Sequence, residues 1–191
     1  MNLHEISFAG IYWGGGKIMK EIRLDLPYPE TEGIGKDEKS ATIVSPAYAG
    51  REGEITAILQ YVFQTHYFER EGDRETADIL AGIARTEMRH LDILGGLLLE
   101  LGVSPVYVSP LPRGMRFYAA DKVSTAVTPC KMLLDDVAGE LNAIAEYDYI
   151  LANLTNERVS AVIKRIRLDE ELHVKVLRGL LERYGCSGRQ E

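Results

Sequence analysis

Two pairs of an acid and a histidine are the residues of this sequence best placed to do chemistry. The pairs are Glu87 with His90 and Glu170 with His173, each three residues apart. On an α-helix this spacing places both side chains on one face, about one turn apart. Apolar residues continue the same face in steps of three and four, which is typical of a helix packed in a bundle. Each pair therefore stands at core positions that apolar residues would normally fill.

Two further acids stand on apolar stripes of the same kind, within the matching stretches Gly53–Tyr61 and Gly139–Tyr147. The stretches that hold the acid–histidine pairs also match each other. The sequence is therefore interpreted as two repeats, residues 45–102 and 128–185, each a helix pair that supplies one Glu and then one Glu-x-x-His. The predicted inward set is Glu54, Glu87, His90, Glu140, Glu170 and His173.

Four carboxylates facing one core would repel each other and could stay ionised only beside positive charge. Two divalent cations would bring four positive charges against the four negative ones. Carboxylate-rich sites with one imidazole per metal suit iron or manganese, whereas structural zinc sites prefer thiolates. Six protein ligands also leave coordination positions for a small oxidant. We therefore predict a cofactor of two Fe or two Mn ions, the dinuclear carboxylate arrangement already known for this class of bundle.

Three other side chains accompany the predicted ligands. Tyr61 and Tyr147 each follow a ligand Glu by seven residues on the same stripe. They are candidates for hydrogen bonds to the ligand carboxylates or for redox chemistry, and the alternative is that they are ordinary core tyrosines. Asp136, one turn before Glu140, could guide ions inward, but we interpret it as an exposed acid near a helix start.

The helices that must position these residues have recognisable ends. Ser45–Pro46 and Thr128–Pro129 resemble helix starts, since Ser or Thr caps a helix and Pro suits its first position. Residues 103–128 contain three prolines and are long enough to travel the length of a bundle, which would leave the second and third helices parallel. The approximate predicted helices are 45–70, 74–101, 129–153 and 156–184.

The two ends of the chain lie outside this helical pattern. Residues 1–44 show no sustained helical period, and we expect an extended arm on the bundle or on a neighbouring subunit. A partly disordered leader is the alternative. Residues 186–191 are predicted to be a tail.

Composition limits the remaining possibilities. The 191 residues are 46% apolar and 27% charged, as expected for one globular domain. A net charge of −7 argues against a nucleic-acid partner. No apolar stretch approaches the roughly 20 residues that cross a bilayer, and no signal-peptide pattern begins the chain. We expect a cytoplasmic protein without a membrane partner, in which Cys130 and Cys186 are free thiols.

Together, these motifs make residues 45–185 resemble the ferritin-like superfamily, in its rubrerythrin, bacterioferritin and manganese-catalase branches. The resemblance implies an all-α, antiparallel four-helix bundle with a long crossover between helices two and three, plus the extended N-terminal arm. Gly53–Ala57, the arm and the crossover are similar to small manganese-catalase-like and spore-coat proteins. Rubrerythrins proper carry CxxC pairs, which this sequence lacks. In bacterioferritins a methionine placed like Met88 binds haem, but we interpret Met88 as a core or surface residue and expect no haem.

The resemblance implies two classes of function. The first is an oxidoreductase that consumes hydrogen peroxide or O₂ at the metal pair, as a catalase or peroxidase does. The alternative is a ferroxidase with an iron-storage role, or a structural, coat-type metal-binding protein. In either class we expect a homo-oligomer, a dimer or larger.

Overall fold

The computed structural model describes residues 10–11, 19–113 and 116–186, with side chains from Lys20 onward. Five α-helices lie in these residues: α1 (Glu38–Ala49), α2 (Glu54–Arg70), α3 (Arg74–Glu100), α4 (Pro129–Asn153) and α5 (Glu157–Arg183). Two short antiparallel strands, β1 (Gly10–Ile11) and β2 (Met19–Lys20), precede them. Helices α2 to α5 correspond to the four predicted helices, so the all-α prediction is confirmed.

Hydrogen bonds at the centre of the bundle show how α2 and α4 are oriented. Tyr61 of α2 donates to Glu140 of α4, and Tyr147 of α4 donates to Glu54 of α2. The order of the partners is reversed between the two helices, so α2 and α4 are antiparallel. The two repeats thus face each other through their first helices.

The second helices of the two repeats, α3 and α5, are also antiparallel to each other. His90 Nδ1 of α3 lies 3.1 Å from Glu170 Oε1 of α5, and His173 Nδ1 of α5 lies 2.8 Å from Glu87 Oε1 of α3. Helices α3 and α5 are therefore antiparallel. Because a short turn makes α2 and α3 antiparallel as well, α3 and α4 are parallel, which confirms the predicted crossover topology.

The crossover lies along the outside of the bundle in its described residues, 103–113 and 116–128. Val108 and Leu111 are buried in it, and Pro105 O accepts a 3.0 Å hydrogen bond from the Tyr48 hydroxyl. Further on, Ser124 N donates to Gln60 Oε1 of α2 at 2.9 Å. These contacts tie the segment to the surface of α1 and α2.

Two apolar layers fill the bundle on either side of the charged residues. One contains Leu94 and Ile163, and the other contains Ile83 and Leu177; all four are fully buried. The acids and histidines lie between these layers along α3 and α5. This packing shields the centre from water at both ends.

The predicted helix start at Ser45–Pro46 is wrong. These residues lie inside α1, which begins at Glu38 with Asp37 as its cap, where Asp37 Oδ1 accepts from Ser40 N at 3.0 Å. The hydroxyl oxygen of Ser45 accepts a hydrogen bond of 2.8 Å from the backbone N–H of Leu111, which lies in the crossover. Part of the predicted arm, from residue 38 onward, is therefore helix.

A tight turn separates α1 from α2, where one continuous helix was predicted. A Cβ atom at Gly50 would lie 2.4 Å from Pro46 O, and one at Gly53 would lie 2.6 Å from Ala47 O. Only glycine allows the chain to fold this closely against the end of α1. The turn places Glu54 at the start of α2.

The prediction of free thiols is also wrong. Cys130 and Cys186 form a disulfide, with Cα atoms 5.5 Å apart. Cys130 lies at the start of α4 and Cys186 just beyond α5, so antiparallel packing brings them to one end of the bundle. The predicted tail beyond Cys186 lies outside the described residues.

No helix in the described ranges is both long and apolar enough to cross a membrane.

Candidate metal centre

The structure brings all six predicted metal ligands together in the middle of the bundle. Each of them is at most 5% exposed. Their ligand atoms form two overlapping groups, and within each group these atoms lie within 4.8 Å of one another. The first group is Glu54, Glu87, His90 and Glu170, and the second is Glu87, Glu140, Glu170 and His173. Glu87 and Glu170 belong to both groups, so the arrangement suits two adjacent cations with shared carboxylates.

Several atoms at this centre lack a hydrogen-bond partner. They are Glu87 Oε1, both carboxylate oxygens of Glu170, and His173 Nδ1. His173 Nδ1 lies 2.8 Å from Glu87 Oε1 and 2.9 Å from Glu170 Oε2, but these approaches do not have hydrogen-bond geometry. Buried polar atoms without partners are costly. Lone pairs that converge without hydrogen bonds are what a cation requires, so the residues fit a metal pair.

The two imidazoles lie in a strongly negative environment. Burial opposes a positive charge on each ring, but the carboxylates around them outweigh burial. The pKa values of His90 and His173 are therefore raised well above the ordinary value. Glu170 is the largest charge acting on His90, and Glu87 is the largest acting on His173. The same field would attract a cation.

The acids of the centre respond in different directions. Burial, with the charges of Glu87 and Glu170, raises the pKa of Glu54 well above its ordinary value. Burial likewise raises the pKa of Glu140 to about 8. Burial would also raise the pKa of Glu87, but contacts with both histidines hold it below its ordinary range. The cluster can balance its charge with protons or with cations, so metal binding would release protons.

Tyr61 and Tyr147 lie where the sequence placed them, beside the centre. Each is 2% exposed and donates its hydroxyl proton across the bundle to the acid of the other repeat, Glu140 or Glu54. Burial raises the pKa of both tyrosines well above 10, so the hydroxyls keep their protons at neutral pH. Both are therefore placed to orient the two outer carboxylates.

The outward nitrogens of the histidines make contacts that the sequence does not predict. His173 Nε2 lies 2.7 Å from the backbone oxygen of Ile22. His90 Nε2 lies 3.2 Å from Asp169 Oδ2, and Asp169 is fully buried. The position of Asp169 next to Glu170 was the only available signal. The Ile22 contact is made by a backbone atom, which no side-chain pattern reveals.

Asp136 is buried, so its interpretation as an exposed acid is wrong. It is 1% exposed, and its Oδ1 accepts from Gln60 Nε2 and Gln64 Nε2, each at 2.8 Å. Burial raises the pKa of Asp136 to about 7 against the lowering effect of the two amides. Its other oxygen, Oδ2, has no hydrogen-bond partner.

A cavity of about 210 Å³ lies between α2 and α4 and reaches the centre. Its inner wall includes Glu54, Glu140 and Tyr61, and its outer wall includes the exposed residues Arg51 and Lys122. A larger surface groove of about 680 Å³ runs past Val62 and Met88, but none of the six candidate ligands lines it. The smaller cavity is therefore the one suited to admit a small substrate.

Comparisons with known proteins identify the fold. No family model matches the sequence, and no curated protein matches it significantly. The structure is similar to the manganese catalase KatB from Anabaena, at 20% identity over 84% of this chain and 79% of that chain, with a TM-score of 0.75. It also resembles two bacterioferritins. That of Rhodobacter capsulatus is 24% identical over 81% of this chain and 90% of that chain, with a TM-score of 0.67. That of Desulfovibrio desulfuricans is 22% identical over 78% and 82%, with a TM-score of 0.60.

The chain therefore has the ferritin-like fold. The Rhodobacter bacterioferritin structure has a metal-free dinuclear site and haem iron, and the Desulfovibrio bacterioferritin structure has a diiron site in different catalytic states.

Proposed function

We propose that this ferritin-like chain is a dinuclear, non-haem metal oxidoreductase that consumes hydrogen peroxide or O₂, with catalase-like peroxide removal as its main reaction. The observation that carries the proposal is the pair of overlapping buried groups, which share Glu87 and Glu170. Two Fe or two Mn ions would be the cofactor, because the donors are carboxylate oxygens and one imidazole per group.

The six side chains would divide the metal pair between them. Glu54 and His90 would hold one ion, and Glu140 and His173 the other. Glu87 and Glu170 would be shared. When bound, two such ions supply two one-electron oxidation changes, which match the two electrons that peroxide gains or loses.

The protein's own groups would prepare the site for this chemistry. The hydroxyls of Tyr61 and Tyr147 hold Glu140 and Glu54 in place and keep their protons at neutral pH. The apolar layers above and below exclude water, which strengthens the electrostatic interactions at the centre. The cavity beside α2 and α4 leaves one approach for a small molecule.

Peroxide disproportionation is favoured as the reaction for two reasons. It turns two molecules of hydrogen peroxide into O₂ and two molecules of water, so it needs no external electron donor. The similarity to a manganese catalase also supports it. Ferroxidase activity with iron storage is the second candidate, supported by the similarity to bacterioferritins.

The test is to load separate samples of the purified chain with Mn and with Fe, and to follow peroxide loss and O₂ release together. O₂ release at half the molar rate of peroxide loss in the Mn form is the expected result. Peroxide loss without O₂ release, in the Fe form only, would favour the ferroxidase. No turnover in either fully loaded form would refute the enzyme.

We further propose that the chain works as a homo-oligomer. Leu59, Val62 and Phe63 are spaced three and four residues apart on α2 and are 36 to 40% exposed, so they form a continuous apolar face of the kind that marks protein–protein contacts. Sedimentation equilibrium should give a mass at least twice the 21.3 kDa of one chain. A single-chain mass at micromolar concentration would contradict this proposal.

A further inference from the structure

The two repeats differ at the residue that precedes each shared glutamate. In the second repeat this residue is Asp169, before Glu170, whereas in the first it is Thr86, before Glu87. Both are fully buried. The candidate metal centre is therefore symmetric in its six candidate ligands, but the residues that contact those ligands from outside differ between the two repeats.

In the second repeat the carboxylate of Asp169 supports the histidine of the other helix. Its Oδ2 lies 3.2 Å from His90 Nε2 and accepts the Tyr28 hydroxyl at 2.6 Å. Arg165 Nη1 lies 2.8 Å from the same oxygen, and Leu24 N donates to Oδ1 at 2.8 Å. Four contacts hold this carboxylate in place, so its position relative to His90 is well defined.

In the first repeat Thr86 makes no such contact. Its hydroxyl donates to Ile22 O at 3.1 Å and to Gly82 O at 3.3 Å. The same Ile22 oxygen lies 2.7 Å from His173 Nε2. A backbone carbonyl from the N-terminal segment therefore takes the place that a carboxylate holds in the other repeat.

Gly82 makes this substitution possible. A Cβ atom at Gly82 would lie 2.7 Å from Ile22 Cγ1 and 3.0 Å from Lys20 O. Without a side chain there, Ile22 N can donate to Gly82 O at 3.3 Å. The segment is thus held against α3 at the position where its carbonyl reaches His173.

The contacts with Asp169 and with Ile22 O set His90 and His173 in the same tautomer, but they affect the basicity of the two rings to different extents. A carbonyl oxygen only accepts, so His173 Nε2 must carry the proton and Nδ1 is left to face the centre. The carboxylate of Asp169 requires the same of His90. A carboxylate partner raises the basicity of a metal-bound imidazole more than a neutral carbonyl does, and loss of such a partner typically costs 10- to 100-fold in metal affinity.

We propose that the two metal positions are not equivalent: the position with His90 binds a divalent cation more tightly than the position with His173. Asp169 is the positioning residue that makes the difference. This inference rests on the proposed function only in that the six residues hold two metal ions.

The first measurement is a titration of the metal-depleted full chain with Mn²⁺ against a competing chelator. Two binding steps are expected, and their Kd values should differ by up to about 10- to 100-fold, the effect of losing a histidine's outer partner altogether. His173→Ala should keep the tight step, and His90→Ala should keep the weak one. Two steps of equal affinity in the wild type would overturn the inference.

The second measurement assigns the cause to Asp169. Asp169→Asn keeps the size of the side chain and an acceptor for Leu24 N. It should weaken the tight step by about 10- to 100-fold and leave the weak step unchanged. In a His90→Ala background the same substitution should have no effect, because its partner is gone. If Asp169→Asn caused a general structural defect, it would weaken metal binding equally in the wild-type and His90→Ala backgrounds. That result would refute the positioning role.

Glu171→Gln is the matched control, since Glu171 lies on the exposed side of α5 and pairs with Arg167. It should leave both steps unchanged. Failure of the wild type to bind Mn²⁺ or Fe²⁺ at all would refute the proposed function. Two equal sites would refute only the inequality between them.

Discussion

At the scale of single residues, the buried acids of this bundle differ in what compensates them. Asp169 is held by an arginine, a tyrosine and a backbone N–H. Burial would raise its pKa, but the hydrogen bond and charge of His90, with the hydroxyl of Tyr28 and the N–H of Leu24, lower it to about 2. Asp136 has only two neutral amides, and burial raises its pKa to about 7. The six candidate ligands form a third class, because the combined negative charge of their carboxylates must be balanced by protons held within the cluster or by bound cations.

The candidate ligands should be separable from the fold. Glu170→Ala should lose metal from both positions, since it removes a shared carboxylate, whereas His173→Ala should lose only the ion at its own position. The helices should remain, because the apolar layers on both sides are untouched. Elemental analysis with circular dichroism checks both points, with Glu171→Ala as control. Full metal retention in both variants would show that the six residues are not the site.

Asp136 should make stability depend on pH. Its pKa in the folded protein, about 7, exceeds the unfolded value near 3.9. The folded state therefore holds a proton that the unfolded state has lost, and stability falls as pH rises from about 4 to 7. Asp136→Asn has no carboxyl group to titrate at this position, so it avoids this fall in stability. The variant should therefore gain stability relative to wild type between pH 5 and pH 8.

The expected change is on the order of 1 to 4 kcal/mol, since one pKa unit corresponds to about 1.4 kcal/mol. Urea denaturation of both proteins at the two pH values measures it. Asp148→Asn is the control, because Asp148 is an exposed acid on the same helix and pairs with Arg167. If the difference in unfolding free energy between Asp136→Asn and wild type were the same at both pH values, the pKa of Asp136 would not be raised in the folded protein.

At the scale of elements, the N-terminal segment from residue 20 to 37 belongs to the centre as much as the helices do. Glu21 is 3% exposed and forms ion pairs with Arg23 and Arg89, both at 2.8 Å. These pairs anchor the stretch that brings Ile22 and Tyr28 to the histidines. The segment therefore lines the candidate metal centre together with the four helices of the bundle.

The start of α3 should be a measurable source of stability. Asp73 caps this helix, where its Oδ1 accepts from Thr76 N at 3.1 Å. Burial alone would raise its pKa, but hydrogen bonds from Tyr184 and Thr76 lower it to about 2. Asp73→Ala should cost about 0.5–2 kcal/mol at pH 7, the usual range for a lost cap.

The sign of the pH effect follows from the lowered pKa. The contribution of Asp73 is complete above the unfolded value near 3.9 and is lost as pH falls towards 2. The gap between Asp73→Ala and wild type should therefore narrow between pH 5 and pH 3 in urea denaturation. Asp92→Ala, an exposed acid in the same helix, should stay within about 0.5 kcal/mol of wild type throughout. An equal cost at pH 5 and pH 3 would contradict the capping account.

At the scale of the whole molecule, one covalent bond closes the bundle. The disulfide between Cys130 and Cys186 joins residues 56 positions apart. A loop of that length implies about 4 kcal/mol of stabilisation on the chain-entropy account. Replacing both cysteines with serine should lower the melting temperature, and a reductant should then have no further effect. Equal melting temperatures for the wild type and the double variant would show that the bond does not stabilise the fold.

Much of this molecule could be predicted from the order of its residues. The matching stretches around Glu54 and Glu140, and the two Glu-x-x-His pairs, predict the four long helices and their inward faces. Helical periodicity is local, so spacing alone places a side chain on a face. The parallel arrangement of α3 and α4 was also predictable, because a segment of the length and proline content of 103–128 cannot be a tight turn.

Only the tertiary structure decided the features that depend on residues far apart in the chain. The break at Gly50–Gly53 requires close packing against α1, so Ser45–Pro46 looked like a helix start when it is helix interior. Asp136 is buried because Gln60 and Gln64 from α2 reach it, and no local pattern records that. The Cys130–Cys186 bond depends on two helix ends meeting. The contact of His173 with Ile22 uses a backbone oxygen, an atom that every residue has, so its role becomes visible only when the chain is folded.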